Sequence, residues 1–190
     1  MKEIVQDGAK VLREIAKPVP EKLFGSLELT ELIRDMEEAL DEKPEGVALA
    51  APQVGVSYRL FIVRKDRTLP PPIPSSQGST LDSNSQGRTL NAPSLPPAEI
   101  EVYINPEIIK TSRRRARADE GCLSVHGVYG TTKRHERVSI RARHPDGKPF
   151  TRGGGGILAQ IFEHEIDHLN GILFIDHAEH LIQTHEAPTA

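Results

Sequence analysis

Apolar positions change their spacing several times along the chain, and each change marks an element. Residues 1–24 mix short apolar segments with Pro18 and Pro20 and read as an irregular arm. From Ser26 the pattern turns helical. Leu29, Leu32, Ile33, Met36 and Leu40 recur every three or four residues, acids and bases fill the other face, and KPEG at 43–46 ends the run. The stretch GVALAAPQVG at 46–55 consists mainly of small residues, which points to backbone approaching a neighbour closely. A β-branched and aromatic run at 58–64 predicts a strand. Residues 101–105, 106–110 and 134–143 carry further strand signals, with Val138 and Ile140 alternating with polar residues. HPDG at 144–147 predicts a turn, 148–150 a short return strand, and the four glycines at 153–156 lead into a last helical pattern. Residues 66–98 hold PPPIP, then Ser, Gly and Asn, then PSLPP, with little to bury; they predict a flexible surface insertion with polyproline-like ends. The tail beyond Phe174 is rich in histidine and is predicted to fray after Leu181.

A helix, several short strands and a final helix predict an α+β domain, with short mixed or antiparallel sheets packed around a central C-terminal helix. One domain spanning 1–190, with 66–98 inserted in it, accommodates this order. Composition narrows the function. The net charge of −3 supplies no global basic field, so neither DNA nor an anionic membrane is an expected partner. The one basic patch, Arg113, Arg114, Arg115 and Arg117, is read as a solvated turn or strand edge, with a phosphate or ribosomal RNA contact as the alternative. Trp is absent and aromatics make up 4% of the chain, which disfavours a stacking platform for single-stranded nucleic acid. Cys122 is the single cysteine, so no intrachain disulfide forms. The first residues lack the apolar core of a signal peptide and no apolar run reaches membrane-spanning length, so the expected compartment is a reducing cytoplasm.

The last helical pattern carries the chemistry. In ILAQIFEHEIDHLNG at 157–171, Ile157, Ile161, His164, Glu165 and His168 share one side of a helix, and Gly171 is placed to stop it. Two imidazoles one turn apart can chelate one metal ion, and Glu165 stands beside them as a candidate general base. The bland alternative is an amphipathic helix with two surface histidines. A metal site needs a third protein ligand. The pattern H-E-x-x-H-x-x-G-x-x-H is matched through Gly171, but Phe174 stands at the last histidine, which excludes a metzincin site. His177, His180, Glu179 and Glu186 lie past the helix stop with little fold around them. Cys122, beside glycine in the strand-like EGCLSV at 120–125, is the remaining candidate, although a lone cysteine is more often buried and inert.

Three stretches together resemble the signature motifs of the peptide deformylases, in the family's order: GVALAAPQ at 46–53, EGCLS at 120–124 and HEIDH at 164–168. The similarity extends to VLR at 11–13, AKP at 16–18, INP at 104–106, DGKPF at 146–150 and LNG at 169–171 running on to Phe174, so only 66–98 and the tail fall outside it. The resemblance implies that Cys122, His164 and His168 hold one divalent metal ion, with water as fourth ligand, and that Glu165 is the general base. Gln53 and the backbone N–H of Leu123 would form the oxyanion hole. Gly46, Val47 and Ala48, with Ile157 and Ile161, would contact substrate. Family members use Fe²⁺ physiologically, with Zn²⁺, Ni²⁺ or Co²⁺ also found, and remove formyl from the N-terminal methionine of nascent proteins. The expected partners are therefore N-formylmethionyl nascent peptides, met by a monomer, with a ribosome contact left open. Asp167 lies off the ligand face and is expected to support the helix rather than react.

Three positions and one stretch depart from the family pattern: Ala48 and His126 replace the usual Gly and Pro, Glu163 replaces Gln, and 153–156 replaces a more acidic lead-in. The expectations are a groove narrowed by the Ala48 methyl, a solvent-facing His126 and a loosened rim at 153–156. Two competitors remain at this point, a metal-dependent peptidase or amidase with the same helix and a non-catalytic metal-binding module.

Overall fold

Leu60, Phe61, Ile62 and Val63 are apolar at consecutive positions, as a strand buried on both faces requires. The computed structural model, which describes residues 2–68 and 99–184, places this strand between two helices. Helix α1 spans Leu27–Asp41, and the Ser26 hydroxyl caps its N-terminus by accepting from the Leu29 N–H at 3.2 Å. Its buried face is Leu29, Ile33, Met36, Ala39 and Leu40. Helix α2 spans Ile157–Leu169. The strands are β1 (Ala48–Ala50), β2 (Leu60–Arg64), β3 (Ile100–Thr111), β4 (Arg115–Cys122), β5 (Val125–His135), β6 (Arg137–Arg143), β7 (Pro149–Gly155) and β8 (Glu179–Gln183).

The strands form two antiparallel sheets, one of five strands in the order β1-β2-β3-β6-β7 and one of three in the order β4-β5-β8. Alternation along β2 divides the core. Phe61 and Val63 join Tyr103, Ile140 and Ala142 against Ile161, Phe162, Ile166 and Leu169 of α2. Leu60 and Ile62 join Leu49 and Ile104 against the apolar stripe of α1. A smaller cluster of Leu12, Val125, Leu173 and Phe174 ties the N-terminal arm to the three-stranded sheet. The architecture is α+β.

Several expectations need correction. The two strand signals at 101–105 and 106–110 are one strand. Pro106 lacks an N–H and Asn105 has φ 50°, so β3 absorbs them as irregularities in its register with β6 and continues. The run 134–143 breaks instead, β5 ending at His135 and β6 starting at Arg137. The return strand after the turn reaches past 150 to Gly155, because 153–155 pair with Ser139, Val138 and Arg137. The glycines there form a strand rather than a loose lead-in, and a Cβ on Gly154 would lie 2.8 Å from Leu158 Cγ. The tail stays paired past Leu181, since β8 pairs with β5 through Gln183↔Val128, while residues 185–190 lie outside the described residues. Asp66 and Arg67, placed in the insertion by sequence, belong to a 3-10 turn at Lys65–Arg67; residues 69–98 lie outside the described residues.

Candidate metal centre

The two sheets and α2 converge on one cluster. Cys122 closes β4, and a register shift between Gly121 and Cys122 turns the chain there. His164 and His168 are one turn apart on α2, which ends in a Schellman motif: Gly171 N–H donates to His168 O (3.2 Å) and Ile172 N–H to Asp167 O (2.9 Å). Gly171 has φ 74°, and a Cβ there would lie 2.7 Å from the Arg13 carbonyl, so glycine is required twice over. One ligand-type atom each from Cys122, His164 and His168 lies within 4.8 Å of the others, and Cys122 Sγ is 3.2 Å from His168 Nε2.

Polar groups around the cluster fix its members. Glu120 Oε2 accepts from His164 Nδ1 at 3.0 Å, leaving the other ring nitrogen for a ligand. Arg134 grips Glu120 through Nε (2.6 Å) and Nη2 (3.0 Å) and reaches Asp167 through Nη1 (2.6 Å), while the Thr132 hydroxyl donates to Glu120 Oε1 (2.7 Å). Burial works against the charge on Glu120, but the Arg134 and His164 hydrogen bonds outweigh it and hold the carboxyl well below the usual range. Asp167 thus supports Arg134, which continues the line to Glu120 and His164. Burial holds His168 well below the ordinary histidine value, so it stays neutral, as a ligating imidazole must be.

Gln53 sits in the 3-10 turn Ala51–Val54 that follows β1. Its Oε1 accepts from Ala50 N–H (2.8 Å), which turns its Nε2 towards Ser124 Oγ (3.2 Å) and Cys122 Sγ (3.5 Å). Glu165 is buried; loss of solvent pushes its carboxyl up to about 7, and Oε2 has no hydrogen-bond partner among the described residues. Thiolate plus two imidazoles is a donor set suited to zinc, iron or neighbouring divalent ions, so these three residues are able to hold one. Two buried polar atoms without partners, Glu165 Oε2 and His168 Nδ1, lie in the same region.

A cavity of about 1010 Å³ opens onto the cluster. The sequence candidates Gly46, Val47, Ala48, Gln53, Leu123, Ile157 and Ile161 line it together with Cys122, His164 and Glu165, whereas His168 does not. Ile157 is 48% exposed, so it is a wall residue and not core. Ala48 packs in the α2-side core as well as lining the wall. His126 is exposed at the cavity and is not a member of the metal-type cluster. Glu163 turns the other way, holding His135 through its backbone N–H and Nδ1, each at 2.7 Å. His177 contacts Asp167 (3.3 Å) and Glu179 pairs with Lys133, so neither joins the cluster. Sequence reasoning overlooked Glu120 and Arg134. Glu120 could have been flagged by its place two residues before Cys122; Arg134 carried no signal.

Residues 1–183 match the family model described as polypeptide deformylase. A peptide deformylase of Dehalococcoides mccartyi is 40% identical over 176 residues, covering 93% of this chain and 85% of the relative. A class I type b peptide deformylase of Acinetobacter baumannii, solved with Met-Ala-Ser bound, superposes with TM-score 0.72 at 32% identity, covering 93% of this chain and 98% of that one. The same enzyme with actinonin bound gives TM-score 0.73 at 30% identity, with 94% and 99% covered.

Proposed function

This chain belongs to the peptide deformylase family, and from that premise we propose that it hydrolyses the N-formyl group from formyl-methionyl peptides, releasing formate. The observation that carries the reading is the Cys122, His164 and His168 cluster with the buried Glu165 carboxyl next to it on α2, open to the cavity through Cys122, His164 and Glu165. The three side chains would hold one divalent ion, Fe²⁺ by family habit. That ion, when bound, lowers the pKa of water towards neutrality and polarises the formyl oxygen.

The remaining steps belong to the protein. Glu165 Oε2 takes a proton from the water that attacks the formyl carbon and later delivers it to the amine nitrogen as the C–N bond breaks. Gln53 Nε2, already fixed by the Ala50 bond to its own oxygen, donates to the developing oxyanion with the Leu123 N–H. Such preorganised donors need no rearrangement when charge appears. The methionine side chain lies between the wall of Gly46, Val47 and Ala48 and the α2 residues Ile157 and Ile161. The Met-Ala-Ser complex of the Acinetobacter enzyme supports a peptide of this kind as ligand.

The test is formate release from formyl-Met-Ala-Ser by Fe²⁺- or Ni²⁺-loaded protein. Wild type is expected to turn over, Glu165→Ala to keep its metal and lose activity, and Cys122→Ala to lose metal. Gln53→Leu is expected to lower kcat by the equivalent of about 3 kcal/mol, the size measured for one oxyanion donor. Fully metallated wild type that releases no formate overturns the deformylase assignment, and unchanged metal content in Cys122→Ala overturns the ligand set.

A further inference from the structure

Helix α1 ends badly on its own terms. Its last turn holds no basic residue, while Asp41 and Glu42 place negative charge where the carbonyl ends of the helix already accumulate it. Arg67, beyond β2 in the turn at Lys65–Arg67, supplies the missing cation. Its Nη1 donates to Lys43 O (2.8 Å) and Gly46 O (2.6 Å), with Leu40 O at 3.3 Å, and its Nη2 lies 3.8 Å from Asp41 Oδ1. The side chain is only 19% exposed, so these contacts are sheltered from water. The turn itself is fixed by Lys65 N–H to Glu99 O (2.9 Å) and by the Thr68 N–H and hydroxyl to Lys65 O.

What Arg67 grips is the start of the cavity wall. Gly46 O is held by Arg67, and the next carbonyl, Val47 O, accepts from the Arg64 N–H at 2.9 Å. Two successive carbonyls of the wall are therefore tied to one four-residue run. Gly46 also abuts Leu123 and Leu40: a Cβ built on Gly46 would lie 2.8 Å from Cδ1 of each. The Arg67 guanidinium and Leu123, the residue after Cys122, thus both bear directly on Gly46.

We propose that Arg67 is a positioning residue for substrate: by clamping Gly46 O against the end of α1, it fixes the wall formed by Gly46 and Val47 and the packing of that wall on Leu123. The inference rests on the deformylase reading for the identity of the substrate, but the clamp is a property of the fold. Arg67 touches no reacting atom, so its loss should weaken peptide binding and leave the chemical step alone.

The experiment is steady-state formate release from formyl-Met-Ala-Ser by metal-loaded wild type, Arg67→Ala and Arg67→Lys. Each is assayed well below its melting temperature, with metal content and hydrogen exchange over residues 43–50 measured in parallel. Arg67→Ala is expected to raise KM about tenfold, as loss of one sheltered charged hydrogen bond would, with kcat within about twofold and metal content unchanged. Exchange over 43–50 should accelerate in Arg67→Ala. Arg67→Lys should recover part of both effects, because an ammonium can still donate to Lys43 O and Gly46 O. A KM within about twofold of wild type, or a fall in kcat at constant KM, overturns the positioning role and leaves the deformylase reading standing. If wild type is inactive, that reading fails instead, and unaltered exchange in Arg67→Ala then overturns the clamp independently.

Discussion

Glu120 and Arg134 form a buried ion pair flanked by His164 and Asp167, and separating its members should cost more than removing both. In Arg134→Met the Glu120 carboxylate stays buried with only Thr132 and His164 to balance it. In Glu120→Leu the guanidinium keeps Asp167 alone, which makes this the milder single change. One uncompensated charge of a buried pair costs about 3–5 kcal/mol. At about 2–4 °C per kcal/mol for a chain of this size, Arg134→Met is expected to melt roughly 6–20 °C below wild type. The double variant buries neither charge, so the double-mutant cycle should show a coupling of about 2–3 kcal/mol. The cycle is measured by urea unfolding in chelator, so that ion binding does not contribute. A second readout follows from the Glu120 to His164 hydrogen bond: Glu120→Leu should bind a competing divalent ion about 10–100-fold more weakly, as loss of a carboxylate behind a ligating histidine does elsewhere. Effects that add to within about 0.5 kcal/mol would refute the claim that the two residues act as a pair.

Gly171→Ala should destabilise by more than Gly25→Ala in urea titrations. Both glycines have positive φ, for which any side chain costs about 1–2 kcal/mol, but only at Gly171 does a Cβ meet backbone, at 2.7 Å. Equal losses would show that the Arg13 contact is unimportant. Asp176 carries a pH signal. Burial alone would raise its carboxyl, but the hydrogen bond to Arg13 at 2.6 Å leaves it below the ordinary value. A depressed folded value means stability that is present above the unfolded pKa of about 3.9 and is lost as pH falls through the folded one. The stability gap between wild type and Asp176→Asn should therefore be constant near neutrality and narrow on acidification below about pH 4; a gap that widens there would contradict the pairing. Adding Ni²⁺ at about 100 times its Kd should stabilise the chelator-stripped protein by about 2.7 kcal/mol, and Glu165→Gln should retain this gain while Cys122→Ala loses it. An unchanged melting temperature in the wild type would count against metal binding by the native fold.

Residues that share a local motif were legible in the sequence. His164, Glu165 and His168 are neighbours on one helix, and helical spacing alone puts them on a common face. Cys122 emerged as the remaining candidate for a third ligand, whereas Gln53 came only through the likeness of short motifs, since nothing in the spacing relates residue 53 to residue 122. What stayed hidden lies in the small sheet. Glu120, Thr132 and Arg134 form a buried polar face across β4 and β5, and β8 is exposed along its length. With polar residues pointing inward and apolar Leu181 and Ile182 pointing outward, these strands lack the alternation by which strands are recognised. They form because their backbones pair: β4 folds back directly on β5, and β5 takes up β8 from far along the chain, a partner that leaves no periodic trace.

That inverted sheet explains how α2 tolerates its own buried polar side. Over its first half the buried residues are Ala159, Ile161 and Phe162, and the helix is stabilised by ordinary apolar burial against β2 and β6. Past His164 the inward positions include Glu165 and His168, each with a buried polar atom that finds no partner among the described residues. Ile166 and Leu169 keep the same turn attached to the apolar core. On the polar side the attachment is made by Arg134, which binds Asp167 of the helix and Glu120 of the strand that delivers Cys122. A purely apolar sheet could hold α2 equally well but could not orient His164. Placing charge inside the small sheet therefore serves the site first, and the two large apolar clusters on either side of β2 supply the stability that allows it.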